Sequence, residues 1–365
     1  RRQRQMCIRD RTVLNMKMHK AISIIQFKLE GQLLIRRKEF HMADRALLDD
    51  INYEEGTIRL YGKEYNLLDH SFPTVDPENP YELSKEEEEV MERLVSAFAN
   101  CEKLQRHMQL LLKKGSLYKV YNNNLLYHGC VPLNEDGSFK EVEVYGRTYK
   151  GRELYDVLEA YVRKAFFALD QDEKQRGRDI LWFIWSSPAS PLFGKDKMAT
   201  FERYFLAEKE THVENKNPYY RLLEDDTVVN NIFREFGIEG DCCHIINGHV
   251  PVHHTSGESP IKCGGKVLVI DGGFSKAYQK ETGIAGYTLI YNSWGMILAA
   301  HEPFTSAEDA ITRESDILSD SILVKRTSLR KTVGDTDNGH HLQESIDELK
   351  QLLKAYRNGQ IIEKE

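Results

Sequence analysis

The residues best suited to chemistry lie between Asp241 and Lys276. Two short apolar runs in this stretch, Cys242 to Ile246 and Val267 to Ile270, each end in small and polar residues. This pattern is typical of buried strands that present functional groups at their ends. We therefore expect a site where these two strands end.

The first break, G-H-V-P-V-H-H over residues 248–254, places imidazoles just past a strand end. Gly248 allows a tight turn there, and Pro251 stiffens it. The imidazoles are those of His249, His253 and His254. Neutral imidazole is a common nitrogen ligand of Zn, Mn, Fe and Ni. The segment therefore predicts a metal site, and the alternative is a surface loop rich in histidine.

A second histidine reaches a glycine break in the same manner. The apolar segment L-L-Y-H-G-C-V-P leads to His128 and Gly129. A lone histidine in such a place is usually structural, but together with His249 it would supply a second imidazole to the same metal. We therefore predict His128 and His249 as ligands of one metal ion.

The second break, D-G-G-F-S-K over residues 271–276, allows backbone amides to approach a ligand. Three lysines lie near it in the chain, at Lys262, Lys266 and Lys280. Ammonium groups beside a glycine-rich turn suit an anionic substrate such as a phosphate. The alternative is a turn whose charged side chains are simply solvated.

Composition limits the class of protein. The chain of 365 residues is 41% hydrophobic and 10% aromatic, so it can bury a large core and has room for two domains. Its formal net charge of -7 argues against nucleic acid or an anionic membrane as partner. The six cysteines form no C-x-x-C pair, which favours reduced thiols in the cytoplasm. No apolar run is long enough to span a membrane, so we expect a soluble protein.

The helices expected to support the site follow helical periodicity and capping signals. One is predicted from Met16 to Glu30, with Gly31 as its stop. A capping box of Ser84 and Glu87 opens one long amphipathic helix, and the acidic run Glu86 to Glu89 is expected to be its solvated first turn. Its apolar face is formed by Val90, Leu94, Phe98, Cys101, Leu104, Met108 and Leu111. Further helices are predicted at residues 152–170 and at the C-terminus, where Gly359 is the cap.

The strands are predicted from alternation and turn residues. Hairpins are expected at Thr57 to Leu68, at Glu141 to Tyr149 and around a turn at Asn292 to Gly295. The run D-I-L-W-F-I-W, Asp179 to Trp185, is predicted as a buried strand, with Trp182 and Trp185 in the core.

The order of the strand-end motifs carries a resemblance. H-G-C-V-P, L-W-F-I-W-S-S-P, N-G-H-V-P-V and V-I-D-G-G-F-S-K follow one another as in the second half of a calcineurin-like metallophosphoesterase. Three longer strings are similar to class III bacterial fructose-1,6-bisphosphatase. These are K-M-H-K-A-I-S-I-I-Q-F-K-L-E-G-Q, S-P-L-F-G-K-D-K-M-A-T-F-E-R-Y-F and D-G-G-F-S-K-A-Y-Q-K-E-T-G-I-A-G-Y-T-L. The resemblance covers essentially residues 16–356.

The resemblance implies an α/β (α+β) fold, a calcineurin-like β-sandwich of four layers flanked by helices. It also implies manganese as cofactor and removal of the 1-phosphate of fructose 1,6-bisphosphate in gluconeogenesis, in the bacterial cytoplasm. Residues 12–335 are then expected to be the C-terminal portion of the catalytic domain, with a helical insertion at about 81–115. Residues 336–365 are expected to form a C-terminal helix and tail.

Two observations predict that the N-terminal half of that domain is missing. The early D-x-H, G-D-x-x-D-R-G and G-N-H-(D/E) motifs of such enzymes do not occur in this chain. Residues 1–11, R-R-Q-R-Q-M-C-I-R-D-R, begin without Met and resemble translated sequencing-adapter sequence, so we set them apart from the fold. The leaving-group acid is therefore expected upstream, and the chain is expected to be inactive or nearly so.

What the resemblance implies for this chain is a partial site. His128 and His249 would bind one manganese ion, with His253 or His254 at the other, and a metal-bridging hydroxide would attack the phosphate. The hypothetical substrate-binding cations are Lys195, Arg203, Lys262, Lys266 and Lys276.

Two other readings stay open. A related phosphatase could act on phosphoprotein or nucleotide, since it shares the H-G and G-H motifs without needing the lysines after Pro260. A non-catalytic interaction module is the other. The sequence also leaves a homo-oligomer open.

Overall fold

The computed structural model describes residues 13–240, 242–271, 279–302, 306–314 and 319–361. The chain divides into two compact units. Unit 1 comprises Arg1–Tyr118 and Tyr127–Glu235. Unit 2 comprises Lys119–Leu126 and Phe236–Glu365.

The described elements are as follows. The helices are α1 (Val13–Arg36), α2 (Lys85–Ala99), α3 (Glu102–Lys114), α4 (Gly151–Phe167), α5 (Gln171–Ser186), α6 (Thr200–Phe205), α7 (Tyr219–Leu222), α8 (Asp226–Glu235), α9 (Gln279–Thr282), α10 (Ala307–Thr312) and α11 (Asp337–Arg357). The strands are β1 (Ile51–Asn52), β2 (Thr57–Leu60), β3 (Lys63–Asn66), β4 (Tyr118–Tyr121), β5 (Asn124–Tyr127), β6 (Val142–Val144), β7 (Arg147–Tyr149), β8 (His244–Asn247), β9 (Ile261–Lys262), β10 (Val267–Val269), β11 (Gly286–Asn292), β12 (Gly295–His301) and β13 (Ser319–Arg326).

Helix α1 passes through Gly31, so the prediction of a stop at this glycine is wrong. Gly31 is buried, and a Cβ atom placed on it would lie 2.1 Å from the ring of Tyr81. The ring is held there because its hydroxyl donates to the carbonyl of Ala46 at 2.6 Å. Gly31 therefore permits close packing of an aromatic ring on α1, at the modest cost of glycine within a helix.

The acidic run at the start of α2 is not simply solvated, which corrects the sequence prediction. Ser84 and Glu87 form the expected capping box, but the Glu87 carboxylate also accepts from the Lys28 ammonium group at 2.8 Å. Lys28 is completely buried and donates also to the carbonyls of Thr74 and Glu82. Burial opposes ionisation of Glu87, but hydrogen bonds led by that from Lys28 outweigh it and lower the pKa of the carboxyl.

We expect Glu87→Gln to lower the free energy of unfolding by about 3 kcal/mol, because it leaves a buried ammonium without its counter-charge. Glu89→Gln is the matched control, since Glu89 lies in the same turn and contacts the exposed Arg93 at 3.8 Å. That control should change stability by less than about 0.5 kcal/mol. Urea unfolding followed by circular dichroism measures both, and equal losses in the two variants would contradict the assignment.

The long helix predicted after Ser84 is divided into two. Helix α2 ends at Ala99, and α3 begins after Cys101, whose side chain forms no cap. The predicted apolar face is largely exposed among the described residues, with Phe98 62% and Leu111 62% accessible. The face exists as predicted, but this chain does not bury it.

The segment predicted as a strand at Asp179 to Trp185 is the second half of helix α5, so that prediction is wrong. Asp170 caps this helix by accepting from the amide of Glu173 at 2.8 Å. Helices α4 and α5 pack closely because Gly177 lies against the backbone of Tyr161 and Ala165. An apolar run alone does not distinguish a buried strand from a buried helix.

Helix α5 also differs from the prediction that both of its tryptophans, Trp182 and Trp185, lie in the core. Its apolar contacts are made by Ile180, Phe183 and Ile184. Trp182 packs at the border of this cluster, but Trp185 is 44% exposed, so its expected place in the core is wrong. The first residue of the run, Asp179, is buried and bonds the guanidinium groups of Arg36 and Arg37.

The hairpin predictions are confirmed. Strands β2 and β3 are joined by Tyr61 and Gly62, with φ of 53° and 76°, and β6 and β7 by Tyr145 and Gly146, with φ of 50° and 79°. Two successive positive φ angles fit the right-handed twist of a two-residue hairpin. Strands β11 and β12 pair antiparallel from Asn292↔Gly295 outwards, as expected.

Unit 2 contains the sheet on which the predicted chemistry depends. Its strand order is β4-β5-β8-β10-β9, in which β5, β8 and β10 are parallel. A second, antiparallel sheet has the order β11-β12-β13. Ile246, Leu268 and Met296 form a shared apolar cluster between strands of the two sheets.

The mixed α and β class is thus confirmed, whereas the four-layered sandwich stays a prediction. Among the described helices, none combines the length and apolar character that crossing a bilayer requires.

Candidate functional site at the carboxyl edge of β8 and β10

Strand β8 delivers the candidate site. All four of its residues, His244–Asn247, are buried, because parallel neighbours β5 and β10 flank it on both sides. Asn247 is opposite Val269 in the register, and its carbonyl accepts from the amide of Ile270 at 2.8 Å. The carboxyl ends of β8 and β10 therefore lie side by side, as expected for parallel strands that carry a site.

The loop after β8 is tied to the end of β10. The amide of Val252 donates to the carbonyl of Asp271 at 2.8 Å, and the Val252 side chain is fully buried. Between the end of β8 and Val252, His249 adopts φ of 71°, a left-handed conformation that costs a residue with a Cβ about 1 kcal/mol or more. Its imidazole is half-buried. The loop thus holds a histidine in an unfavourable backbone state two residues after the end of β8.

His253 and His254 are both exposed and lie in the turn that follows. The amide of His253 donates to Glu258 at 3.0 Å, and its carbonyl accepts from the Ser256 hydroxyl at 2.8 Å. These contacts fix the backbone of the turn and leave the imidazoles at its surface. The structure therefore separates the half-buried His249 from two surface histidines.

Lys262 and Lys266, two of the lysines predicted to bind substrate, lie in different places of unit 2. Lys262 is largely buried and forms an ion pair with Glu258 at 3.1 Å. The carboxylate of Glu258 therefore already compensates its charge. Lys266 directly precedes β10, and its carbonyl accepts from the amide of Ile245 at 2.8 Å. It therefore lies at the amino end of the strand, opposite the edge that carries His249.

The remaining predicted residues belong to unit 1 or cannot be placed. Lys195 and Arg203 both contact the carboxylate of Glu214, Lys195 at 3.1 Å. His128 is exposed and follows β5 in the chain. Lys276 lies outside the described residues, as does the rest of D-G-G-F-S-K after Asp271.

The predicted metal site requires several ligand side chains to lie close together. Within residues 13–240, 242–271, 279–302, 306–314 and 319–361, no three His, Cys, Asp or Glu side chains come together in a way that could hold a metal ion. A structural or catalytic metal site normally has at least three protein ligands. The described residues therefore do not form a complete site, and a manganese ion would need donors from elsewhere.

Sequence reasoning missed the two carboxylates that compensate three of the predicted cations. Glu258 lies four residues before Lys262, a spacing that signals a pair only where the chain turns as a helix does. Glu214 is separated from Lys195 by nineteen positions, and no local pattern indicates that contact. Long-range ion pairs of this type become visible only in the folded chain.

The sequence as a whole matches one family. The family model described as Firmicute fructose-1,6-bisphosphatase matches residues 1–358. The chain belongs to this family. Because the match starts at residue 1, it gives no support for setting residues 1–11 apart, and the prediction that only the C-terminal part of the family is represented is not confirmed.

Curated relatives share more than half of their aligned residues with the chain. A fructose-1,6-bisphosphatase class 3 from Clostridioides difficile is 58% identical over 348 residues, which cover 95% of this chain and 53% of that protein. The relative of the same name from Listeria innocua is 55% identical over 348 residues, again 95% and 53%. The chain thus spans about half the length of these relatives. No solved structure matches it.

We expect His249→Gly to leave the free energy of unfolding unchanged to within about 0.5 kcal/mol, because relief of the left-handed conformation offsets the greater freedom of glycine in the unfolded chain. Val250→Gly, at the next residue and at an ordinary φ, should lower it by about 0.5–1 kcal/mol. Urea unfolding of the two variants beside the parent chain tests this. A larger loss for His249→Gly would show that the imidazole is a packing group and not a functional one.

Proposed function

We propose that this family member hydrolyses fructose 1,6-bisphosphate to fructose 6-phosphate and phosphate. One observation carries the proposal: 58% identity over 95% of the chain to a protein named fructose-1,6-bisphosphatase class 3. The aligned 348 residues cover 95% of this chain. The activity belongs to the whole protein, of which this chain corresponds to about half.

Within this chain, the proposed role of the carboxyl edge is to hold part of a manganese-dependent centre. His249 is supported best, because its loop is anchored at Val252 and Asp271 and accepts a strained backbone to present the imidazole. His128, and one of His253 and His254, are retained as further proposed ligands. Manganese would supply Lewis acidity at the phosphate when bound.

Three of the proposed substrate groups need to be released from their present partners before they can bind a phosphate. Glu258 holds Lys262, and Glu214 holds both Lys195 and Arg203. A bisphosphate could compete for these cations only where it offers more charge than a single carboxylate. Among them, Lys262 is favoured because it lies in the same unit as His249 and shares Glu258 with the turn of His253.

The chain by itself is proposed to have little or no turnover, because its described residues gather no complete metal site. A cytoplasmic location and a homo-oligomeric state also belong to this proposal. Neither affects the test that follows, which measures catalysis directly.

The test uses a chimera in which this chain replaces the corresponding residues of the Clostridioides difficile relative. We expect manganese-dependent release of phosphate from fructose 1,6-bisphosphate, with His249→Ala reducing kcat/KM at least 100-fold. The matched control is His341→Ala, since His341 is exposed on α11 and contacts only Glu344 among the described residues. That variant should stay within twofold of the chimera.

Two further measurements separate the other readings. A phosphoserine peptide and a nucleotide monophosphate are assayed beside the sugar bisphosphate, and preference for either would replace the proposed substrate. The metal content of the chimera and of His249→Ala is measured after dialysis. A folded chimera without bound manganese and without turnover would leave only the non-catalytic module.

A further inference from the structure

A recess in unit 2 lies at the other end of β8 from His249. It lies beside His244 at the amino end of the strand. Its empty volume, open solvent included, is about 310 Å³. Strand β13 and the residues after it contribute Lys325, Thr327 and Lys331. Because the recess is at the opposite end of a strand whose carboxyl end carries the candidate catalytic site, it cannot be part of that site.

His244 presents an acceptor nitrogen to this recess. The Asn124 amide nitrogen donates to the carbonyls of Tyr121 and Asn122, at 3.1 and 3.0 Å, so its oxygen must face His244. That oxygen lies 3.1 Å from Nδ1 of His244 and accepts its proton. Nε2 then carries the lone pair, and no hydrogen bond joins it to a described residue. His244 is only 6% exposed.

Burial, and then the charges of Lys325 and Lys331, lower the pKa of His244 to about 4. The imidazole is therefore neutral at pH 7 and keeps the acceptor at Nε2. The side chains of Lys325 and Lys331 line the same recess as the ring. A hydrogen-bond acceptor and two positive charges thus converge on one small volume.

The charges of the two lysines are not compensated within the recess. Neither Lys325 nor Lys331 forms an ion pair with a described carboxylate, and no described Asp or Glu lines the recess. Lys325 is opposite Met296 in the register, so it lies on the face of its sheet that packs on the apolar cluster. Two acids in the segment that follows Lys331 make other contacts. Asp335 accepts from Thr332 and feels the charge of Lys331, and Asp337 accepts from the amide of Asn122.

A buried hydroxyl completes the set of donors. Thr327 Oγ1 is buried and has no hydrogen-bond partner among the described residues, although it lines the recess. A buried hydroxyl without a partner costs about 1–3 kcal/mol. A ligand that accepts from this hydroxyl would remove that cost.

We propose that the recess binds a phosphate group, as inorganic phosphate or as a small phosphate monoester. The phosphate oxygens accept from Lys325, Lys331 and Thr327, and a protonated phosphate oxygen or a ligand hydroxyl donates to Nε2 of His244. The need for a donor distinguishes this site from a simple cluster of lysines, because sulfate carries the same oxygens without a proton at pH 7.

The proposal is tested by calorimetric titration of the full chain with inorganic phosphate, sulfate and glycerol 3-phosphate at pH 7. We expect phosphate to bind at least fivefold more tightly than sulfate. Lys325→Met and Lys331→Met should each weaken phosphate about tenfold, and Lys354→Met, on exposed α11, should change it less than twofold. Tighter binding of the ester identifies an organic phosphate as the ligand, and tighter binding of phosphate identifies the free ion.

Nuclear magnetic resonance of the His244 ring provides a readout that does not depend on catalysis. Saturating phosphate should shift the Nε2 resonance of His244, and it should do so equally in His249→Ala. The proposal is wrong if no saturable binding occurs below 10 mM, or if both lysine variants bind as the parent does. Equal affinity for sulfate and phosphate would overturn the role of His244. Loss of the signal change in His249→Ala alone would move binding to the carboxyl edge.

Discussion

Backbone pairing on both sides of β8 is the constraint on which unit 2 depends. β8 has four residues, and all of them are buried between β5 and β10. A strand held on both sides cannot shift its register without moving every side chain to the other face. The position of His244 at one end and of His249 past the other therefore follows from the pairing Asn124↔His244 and Val269↔Asn247. One short strand positions two groups that have different chemistry.

Local signals in the sequence predicted the parts of the fold that local physics decides. Tyr-Gly pairs indicated two hairpins because a two-residue hairpin turn requires positive φ angles, which glycine adopts readily. The capping box at Ser84 was also visible, since both partners lie within one turn. The ends of β8 and β10, beside Gly248 and Asp271, were predicted because small and polar residues follow each apolar run. Periodicity failed at Asp179 to Trp185, where the upstream cap at Asp170 decides for a helix.

Tertiary contacts between distant charges could not be predicted in this way. In the sequence, Glu87 is one member of an acidic run that was predicted to be solvated. In the structure, it forms a buried ion pair with Lys28, 59 positions away. Glu214 likewise converts two apparent surface cations, Lys195 and Arg203, into members of one ion cluster. A buried charge that loses its partner is costly, so such pairs hold elements together more firmly than their exposed equivalents do. The candidate substrate groups were therefore the least predictable part of the site.

The two ends of β8 differ in how they hold their imidazoles, and the difference indicates different tasks. His249 has a strained backbone, a half-buried ring and a loop anchored at both sides, features that suit a ligand for an ion entering from solvent. His244 has an ordinary strand backbone, a buried ring and a tautomer set by Asn124, features that suit a fixed acceptor. Beside His244, the ammonium groups of Lys325 and Lys331 would attract an anion. The proposed anion site at the amino end of β8 and the proposed metal ligand past its carboxyl end thus lie at opposite ends of one strand.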